Sequence, residues 1–136
     1  MPTYHSRTLS VTIARPWKEV YAFAADPANM AEWAAGLGGD FEPAPDGDGW
    51  IANQDGTAIR ITFTPPNDFG VLDHDVHTPG GVVHVALRVV PNGSGAEVTF
   101  LLLQERAMSD AELERDAAAV QKDLDTLKRL MEDAPR

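Results

Sequence analysis

The end of the chain carries the pattern that most restricts the fold. Over residues 109–132, apolar side chains recur at alternating spacings of four and three, which is the period of one face of an α-helix. They are Leu113, Ala117, Val120, Leu124, Leu127 and Met131. Ser109 and Glu112 form a capping box at the start. Such a helix is roughly 34 Å long at about 1.5 Å per residue, so the rest of the chain must supply a wide apolar surface to cover it.

Short alternating segments upstream predict an antiparallel sheet that supplies this surface. Residues 8–14 alternate as a half-buried strand, and Pro16 and Asp26-Pro27 mark two short helices that reach about Trp33 and Ala34. Further strands are predicted at residues 50–54, 57–63, 71–77, 82–90 and 96–106, with a weaker edge strand near 40–44. The order predicts an α+β fold: one strand, two short helices, six antiparallel strands and the long helix, in a single domain over residues 1–136.

The hairpin turn at Pro79-Gly80 sets a register and therefore a face for each residue. It places His77 opposite Val82 and Asp75 opposite His84. The other face carries Leu72, His74, Val76, Val83, Val85, Leu87 and Val89. Because this second set is nearly all apolar, we expect it to lie under the long helix.

Polar side chains should gather where the inner faces of the first and last strands meet the start of the long helix. His5, Arg7, Gln104 and Arg106 follow inner-face positions to that end. An arginine is rarely buried without an anion. The functional hypothesis is that one of the two arginines holds a carboxylate, phenolate or phosphate of a ligand. The alternative is that they extend to solvent or form ion pairs with nearby acids. Those acids are Glu105, Asp110 and Glu112.

The composition excludes several kinds of protein. The chain has no cysteine, which excludes disulfides, thiol nucleophiles and cysteine metal sites. Twenty-one acidic residues against 11 basic ones give a net charge of −10, which argues against nucleic acid or an anionic membrane as partner. No signal peptide or membrane-spanning stretch is recognisable. We expect a cytoplasmic protein with no cofactor.

Local motifs resemble those of a known superfamily. A small residue, a proline, a valine and an aromatic residue follow the first strand, as Ala14, Pro16, Val20 and Tyr21, and then come Asp26-Pro27, Trp33 and the terminal helix with Leu124 to Lys128. This order resembles small polyketide cyclase/dehydrase-like members of the START/Bet v 1-like (SRPBCC) superfamily, which have the helix-grip fold. The resemblance implies a curved sheet of about seven antiparallel strands wrapped on the C-terminal helix, with a cavity for an apolar ligand between them.

The resemblance leaves the function open. Relatives bind lipids, sterols, quinones, aromatic polyketides or plant hormones, some are cyclases or dehydratases, and some regulate protein partners such as chaperones. They share no single catalytic set, so no catalytic residue can be transferred. Three hypotheses follow for this chain: a binder of a small hydrophobic or aromatic molecule, a cyclase or dehydratase, or a protein-interaction module whose cavity is collapsed.

His74 is the candidate acid or base, because its strand turns it toward the apolar face, where burial shifts a histidine pKa. The alternative is a core histidine satisfied by a hydrogen bond. Trp33 and Tyr21 are further aromatic residues that could line a pocket. The residues predicted to bind a ligand are Arg7, Trp50, His74, Phe100, Gln104 and Arg106.

A second histidine cluster lies on the opposite face. Asp75, His77 and His84 share that face and are residue types that bind metals. The simpler interpretation is an exposed cross-strand charge pair between Asp75 and His84, contributing under about 1 kcal/mol. We favour the charge pair and expect no metal site.

Overall fold

The computed structural model describes residues 3–34, 41–54, 56–105 and 108–135. Its elements, in chain order, are β1 (His5–Ile13), α1 (Trp17–Ala25), α2 (Pro27–Trp33), β2 (Phe41–Pro43), β3 (Trp50–Gln54), β4 (Thr57–Phe63), β5 (His74–Thr78), β6 (Gly81–Asn92), β7 (Gly95–Gln104) and α3 (Asp110–Asp133). The strands form one seven-stranded sheet in the order β1-β7-β6-β5-β4-β3-β2, with antiparallel neighbours. The α+β helix-grip fold predicted from the sequence is confirmed.

The predicted registers and faces are also confirmed. His77 pairs with Val82 and Asp75 with His84, as the hairpin turn required. On α3 the predicted stripe is the buried one, with Leu124 and Leu127 almost fully covered. The Oγ atom of Ser109 accepts a hydrogen bond from the Glu112 backbone N–H at 3.1 Å, which caps the helix.

β5 begins later than the sequence pattern predicts. The expected strand covered residues 71–77, whereas β5 begins at His74. Val71 still pairs with Arg88 as an isolated bridge, so the register continues through the interruption. The backbone therefore keeps the strand register, and only part of the hydrogen-bond ladder is missing, at Leu72 and Asp73.

Side chains replace one backbone hydrogen bond at this break. The Leu72 N–H donates to the Leu87 carbonyl at 2.8 Å, as in a regular ladder. The reciprocal bond is not made. Instead, the Leu87 N–H donates to Oδ1 of Asp73 at 3.0 Å, while the Leu72 carbonyl lies 2.9 Å from Nδ1 of His74. The ladder break therefore positions two ionisable side chains, one on each face of the sheet.

The C-terminal end of α3 is fastened to the segment between β1 and α1. The guanidinium of Arg15 donates to the carbonyls of Met131 and Ala134, each at 3.1 Å. The Ala14 N–H donates to the Glu132 carboxylate at 2.8 Å. Because the last carbonyls of a helix have no partners within it and carry partial negative charge, a cation at this place stabilises the end of α3.

The start of α3 is fastened to the opposite end of the sheet. Both terminal nitrogens of Arg7 contact the carboxylate of Glu114, at 2.5 and 3.0 Å. Nε2 of Gln104 donates to the Met108 carbonyl at 3.1 Å and to Asp110 at 2.9 Å. The long helix is thus held at both ends, and its middle lies over the sheet. No helix among the described residues is long and apolar enough to cross a membrane.

Candidate functional site

A cavity of about 190 Å³ lies between the inner face of the sheet and helices α2 and α3. It is where the apolar stripe of α3 meets the apolar face of β4, β5, β6 and β7. The lining residues are Met30, Trp33, Ala34, Phe63, Leu72, His74, Val76, Val85, Leu87, Phe100, Val120, Asp123 and Leu124. The wall is therefore almost entirely aliphatic and aromatic, as is common in pockets for small molecules.

The cavity adjoins a groove where two strands separate. β6 pairs with β5 from Gly81 to Val85 and with β7 only from Ala86 onward, opposite Leu101. The first part of β6 and the last part of β7 therefore diverge. A groove of about 240 Å³ lies at this divergence, and Val85 and Phe100 line both it and the cavity.

His74 lines the cavity with its ring oriented by the backbone. Nδ1 is 2.9 Å from the Leu72 carbonyl. A carbonyl only accepts, so Nδ1 carries the proton and Nε2 of the neutral ring is an acceptor. The ring lies 5.3 Å from that of Phe63, centroid to centroid. Burial lowers the pKa of His74 below its usual value, and the hydrogen bond to Leu72 opposes this only in part. The imidazole is neutral near pH 7.

Trp33 also lines the cavity and carries a buried polar atom. Its side chain packs at the end of α2 and the residue is only 6% exposed. Its Nε1–H is buried and has no hydrogen-bond partner among the described residues. A buried donor without an acceptor costs about 1–3 kcal/mol, so native proteins rarely leave one unpaired.

The described lining residues include no cation. Asp123 on α3 is the charged residue among them, and it makes an interaction of its own. The described part of the wall therefore offers no lysine or arginine to a carboxylate or phosphate.

Of the six residues predicted to bind a ligand, two line the cavity: His74 and Phe100. Trp50 lies outside that lining and stacks on Phe41 of the edge strand, with ring centroids 5.2 Å apart. Tyr21, also expected in a pocket, accepts a hydrogen bond from the Asn67 N–H instead.

Two of the other three predicted residues belong to the sheet end near the start of α3. Arg7 and Gln104 lie there as expected from the register, together with His5. Both contact α3 or the segment before it. Arg7 pairs with Glu114, two residues beyond the last of the acids suggested by the sequence. Arg106 lies outside the described residues.

The outer face carries the charge pair that the sequence suggested. Nδ1 of His84 and Oδ1 of Asp75 are 2.7 Å apart, and both side chains are largely exposed. This confirms the cross-strand pair. Within the described parts of the chain, no group of three or more acidic, histidine or cysteine side chains could hold a metal ion.

Asp73 is the residue that sequence reasoning missed. It is 9% exposed, and besides the Leu87 N–H it accepts from Nη2 of Arg88 at 2.9 Å. Burial alone would raise the pKa of the carboxyl group, but the hydrogen bonds from Arg88 and Leu87 outweigh it and hold the pKa below its usual value. The alternating pattern placed Asp73 on the outer face beside Asp75 and contained no signal that one of the two is buried.

Known proteins share this architecture at low sequence identity. The protein XoxI from Bacillus cereus is 14% identical over 94% of this chain and 96% of its own, with a TM-score of 0.74. CalU16 from Micromonospora echinospora is 19% identical over 96% of this chain and 76% of its own, with a TM-score of 0.66. The Aha1 dimer from Colwellia psychrerythraea is 11% identical over 95% and 97%, with a TM-score of 0.73. At these identities the similarity shows a shared fold and nothing about function.

The family match is made on the sequence itself. No curated protein matches this chain. Residues 4–132 match the family described as "Polyketide cyclase / dehydrase and lipid transport". The match covers nearly the whole chain, from the start of β1 to the last turn of α3. The resemblance inferred from the local motifs is thereby confirmed. The chain belongs to the polyketide cyclase/dehydrase and lipid transport family, within the SRPBCC or Bet v 1-like superfamily.

Proposed function

We propose that this protein binds a small hydrophobic or aromatic molecule in the cavity between the sheet and α3. The observation that carries the proposal is the cavity itself, an apolar space between the sheet and the middle of α3. A protein-interaction module would instead need a filled cavity and an apolar patch outside. The family's description, which includes lipid transport, supports the same function.

The volume limits the size of the ligand. An engineered cavity of about 150 Å³ lined by aliphatic and aromatic side chains binds benzene. At about 190 Å³, the present cavity has room for a single ring with a substituent. A longer ligand would extend into the adjoining groove between β6 and β7. Binding free energy would come mainly from removing apolar surface from water, about 25 cal/mol per Å².

A pair of substitutions on one strand tests the proposal. Val85→Phe places a ring in the cavity wall, whereas Val90→Phe makes the same change at an exposed position of β6. Ethylbenzene titrated into labelled protein should shift the NMR signals of cavity residues such as Phe100 and Leu124. The shifts should persist in Val90→Phe and disappear in Val85→Phe. Shifts that are absent in the unmodified protein, or equal in both variants, would contradict binding in this cavity.

One observation also favours an enzyme of the cyclase or dehydratase type. The hydrogen bond from Nδ1 of His74 to Leu72 leaves Nε2 as an acceptor in the cavity, the arrangement needed for a general base. In that reaction His74 would remove a proton from a bound polyketide-like substrate. His74→Gln should then abolish turnover while the apolar cavity still binds the substrate. Turnover that is unchanged in this variant would exclude the role of base.

A further inference from the structure

The separation of β6 from β7 opens a wedge in the sheet beside the cavity. The two strands are paired from Ala86 and Leu101 to Asn92 and Gly95. Before Ala86, β6 is paired with β5, whereas β7 beyond Leu101 is paired with β1 as far as Gln104. The two strands thus follow different neighbours, and the wedge widens from the pair of Ala86 and Leu101 toward the start of α3.

Burial falls along both strands as they enter this wedge. On the inner face of β6, Val89 and Leu87 are almost fully buried, but Val85 and Val83 are only half-buried. On β7 the same change occurs between Val98 and the next two inner-face residues. The close-packed core therefore ends where the strands separate, and the inner face beyond that point is only partly covered.

The groove occupies this wedge and shares walls with the cavity. Residues 83–85 of β6 and 101–103 of β7 all line it. A groove on one face of a sheet is lined by alternate residues, so consecutive ones indicate a space between the strands. Val76, Val85 and Phe100 line both the groove and the cavity, and the two spaces meet at these side chains.

The size and shape of the groove suit a chain of carbon atoms. Its volume of about 240 Å³ exceeds the roughly 150 Å³ in which an engineered cavity holds benzene, so it has room for at least about six carbon atoms. A wedge is narrowest next to the last paired residues, and Val85 and Phe100 are adjacent to that pair. A linear chain therefore passes the junction with the cavity more readily than a second ring does. The groove also reaches solvent, because His84 and Asp116 in its wall are exposed.

We propose that the protein binds a molecule made of one aromatic ring and a linear apolar chain, with the ring in the cavity and the chain in the groove between β6 and β7. This inference rests on the proposed binding function and adds the shape of the ligand. Phe63, His74 and Phe100 give the cavity wall its aromatic surface, against which a ring packs well. The groove wall is mainly valine and leucine, which suits methylene groups. The far end of the chain lies beside exposed residues, so a polar group there keeps its contact with water.

A set of neutral probes tests the proposal. The probes are ethylbenzene, cyclohexylphenol, and phenylbutanol and phenylhexanol with the hydroxyl group on the last carbon. Phenylhexanol should bind about tenfold more tightly than phenylbutanol, since burying two further methylene groups contributes about that factor. Cyclohexylphenol has as many carbon and oxygen atoms as phenylhexanol but a second ring in place of the chain, and it should bind more weakly. NMR titration of labelled protein gives each dissociation constant under one set of conditions.

Matched substitutions assign the chain to the groove. Val83 lines the groove and, unlike Val85, is not among the described residues of the cavity wall. Val83→Phe should therefore remove the advantage of phenylhexanol over phenylbutanol, whereas Val90→Phe, at an exposed position of the same strand, should keep it. Leu102→Phe repeats the test from the facing strand and serves if Val83→Phe does not fold. The readout is the ratio of two affinities within one variant, so a general loss of stability does not imitate the effect.

The orientation of the bound molecule is measured separately. In the phenylhexanol complex, nuclear Overhauser contacts should join the ring protons to Leu124 in the cavity and the chain protons to Leu102 in the groove. Contacts of the chain with Leu124 and of the ring with Leu102 would overturn the proposed orientation.

The outcomes separate the two proposals. Equal affinity for phenylbutanol and phenylhexanol, or an advantage that survives both Val83→Phe and Leu102→Phe, would overturn the placement of the chain and leave binding in the cavity intact. Cyclohexylphenol that binds as tightly as phenylhexanol would overturn the linear shape. If no probe binds, including ethylbenzene, the proposed function fails and this inference fails with it.

Discussion

Replacing Asp73 by alanine tests whether the break in the β5–β6 ladder is held by a side chain. The variant removes the carboxylate that accepts from the Leu87 N–H at 3.0 Å and from Arg88 at 2.9 Å. A hydrogen bond from a buried N–H to a charged acceptor contributes about 1.5–3 kcal/mol. The half-exposed ion pair with Arg88 adds under about 1 kcal/mol. We therefore expect the free energy of unfolding to fall by roughly 2–3 kcal/mol.

Asp75→Ala is the matched control, because Asp75 is a carboxylate on the same face of the sheet, two residues away and exposed. Its loss should lower the free energy of unfolding by less than about 1 kcal/mol. Urea denaturation at neutral pH measures both variants. Equal losses below 1 kcal/mol would refute the reasoning, since the Leu87 N–H would then not depend on Asp73.

The same variant should change the opposite face of the sheet. Without Asp73, the Leu87 N–H must compete with Nδ1 of His74 for the Leu72 carbonyl, which replaces only part of the lost hydrogen bond. Nitrogen NMR of the imidazole should then show a mixture of tautomers, in place of the single form with Nδ1 protonated. The pKa of Asp73 lies below its usual value. Its stabilising effect is thus present above about pH 4, the unfolded pKa, and is lost as the pH falls through the folded pKa.

Four further predictions have measurable outcomes. Gly70→Ala would place a Cβ on a backbone oxygen of β6 at a φ of +72°, and should lower the free energy of unfolding by about 2 kcal/mol or more. Gly47→Ala, at a φ of +79° with open space around it, is its control and should lose only about 1 kcal/mol. Arg15→Met removes the cation at the end of α3 and should lower the thermal midpoint, with a loss of about 1–2 kcal/mol. Arg7→Met removes an exposed ion pair and should leave both stability and ethylbenzene affinity nearly unchanged. Since burial lowers the pKa of His74, the unfolded state takes up the proton first, and stability should fall below about pH 6.5 more steeply in the unmodified protein than in His74→Gln.

Those parts of the fold that depend on periodicity were predictable from the sequence. The stripe that includes Leu124 and Leu127 identified the buried face of α3, because a helix places residues three and four apart on one side. The turn at Pro79-Gly80 gave the pairing of Asp75 with His84, because a hairpin loop sets the register of both strands. Each of these inferences needs only local order along the chain.

The chemistry of the cavity was predictable only in part. His74 could be placed on the inner face by alternation, but not its bond to Leu72, which depends on a missing backbone hydrogen bond. Trp33 was recognisable as an aromatic residue near a pocket. That its N–H has no partner among the described residues depends on which atoms the folded chain brings near it. Arg7 was expected near the start of α3. The acid with which it pairs, Glu114, depends on how the helix is rotated about its own axis.

The cavity has a consequence for the lifetime of the protein in the cell. A ligand that binds only the folded state stabilises it, and a typical domain is stable by only about 5–15 kcal/mol. A ligand present at a hundred times its dissociation constant adds about 2.7 kcal/mol, which lowers the unfolded fraction about a hundredfold. Cellular proteases act on the unfolded fraction. The amount of this protein in a cell would then follow the supply of its ligand, even where the gene is expressed at a constant rate.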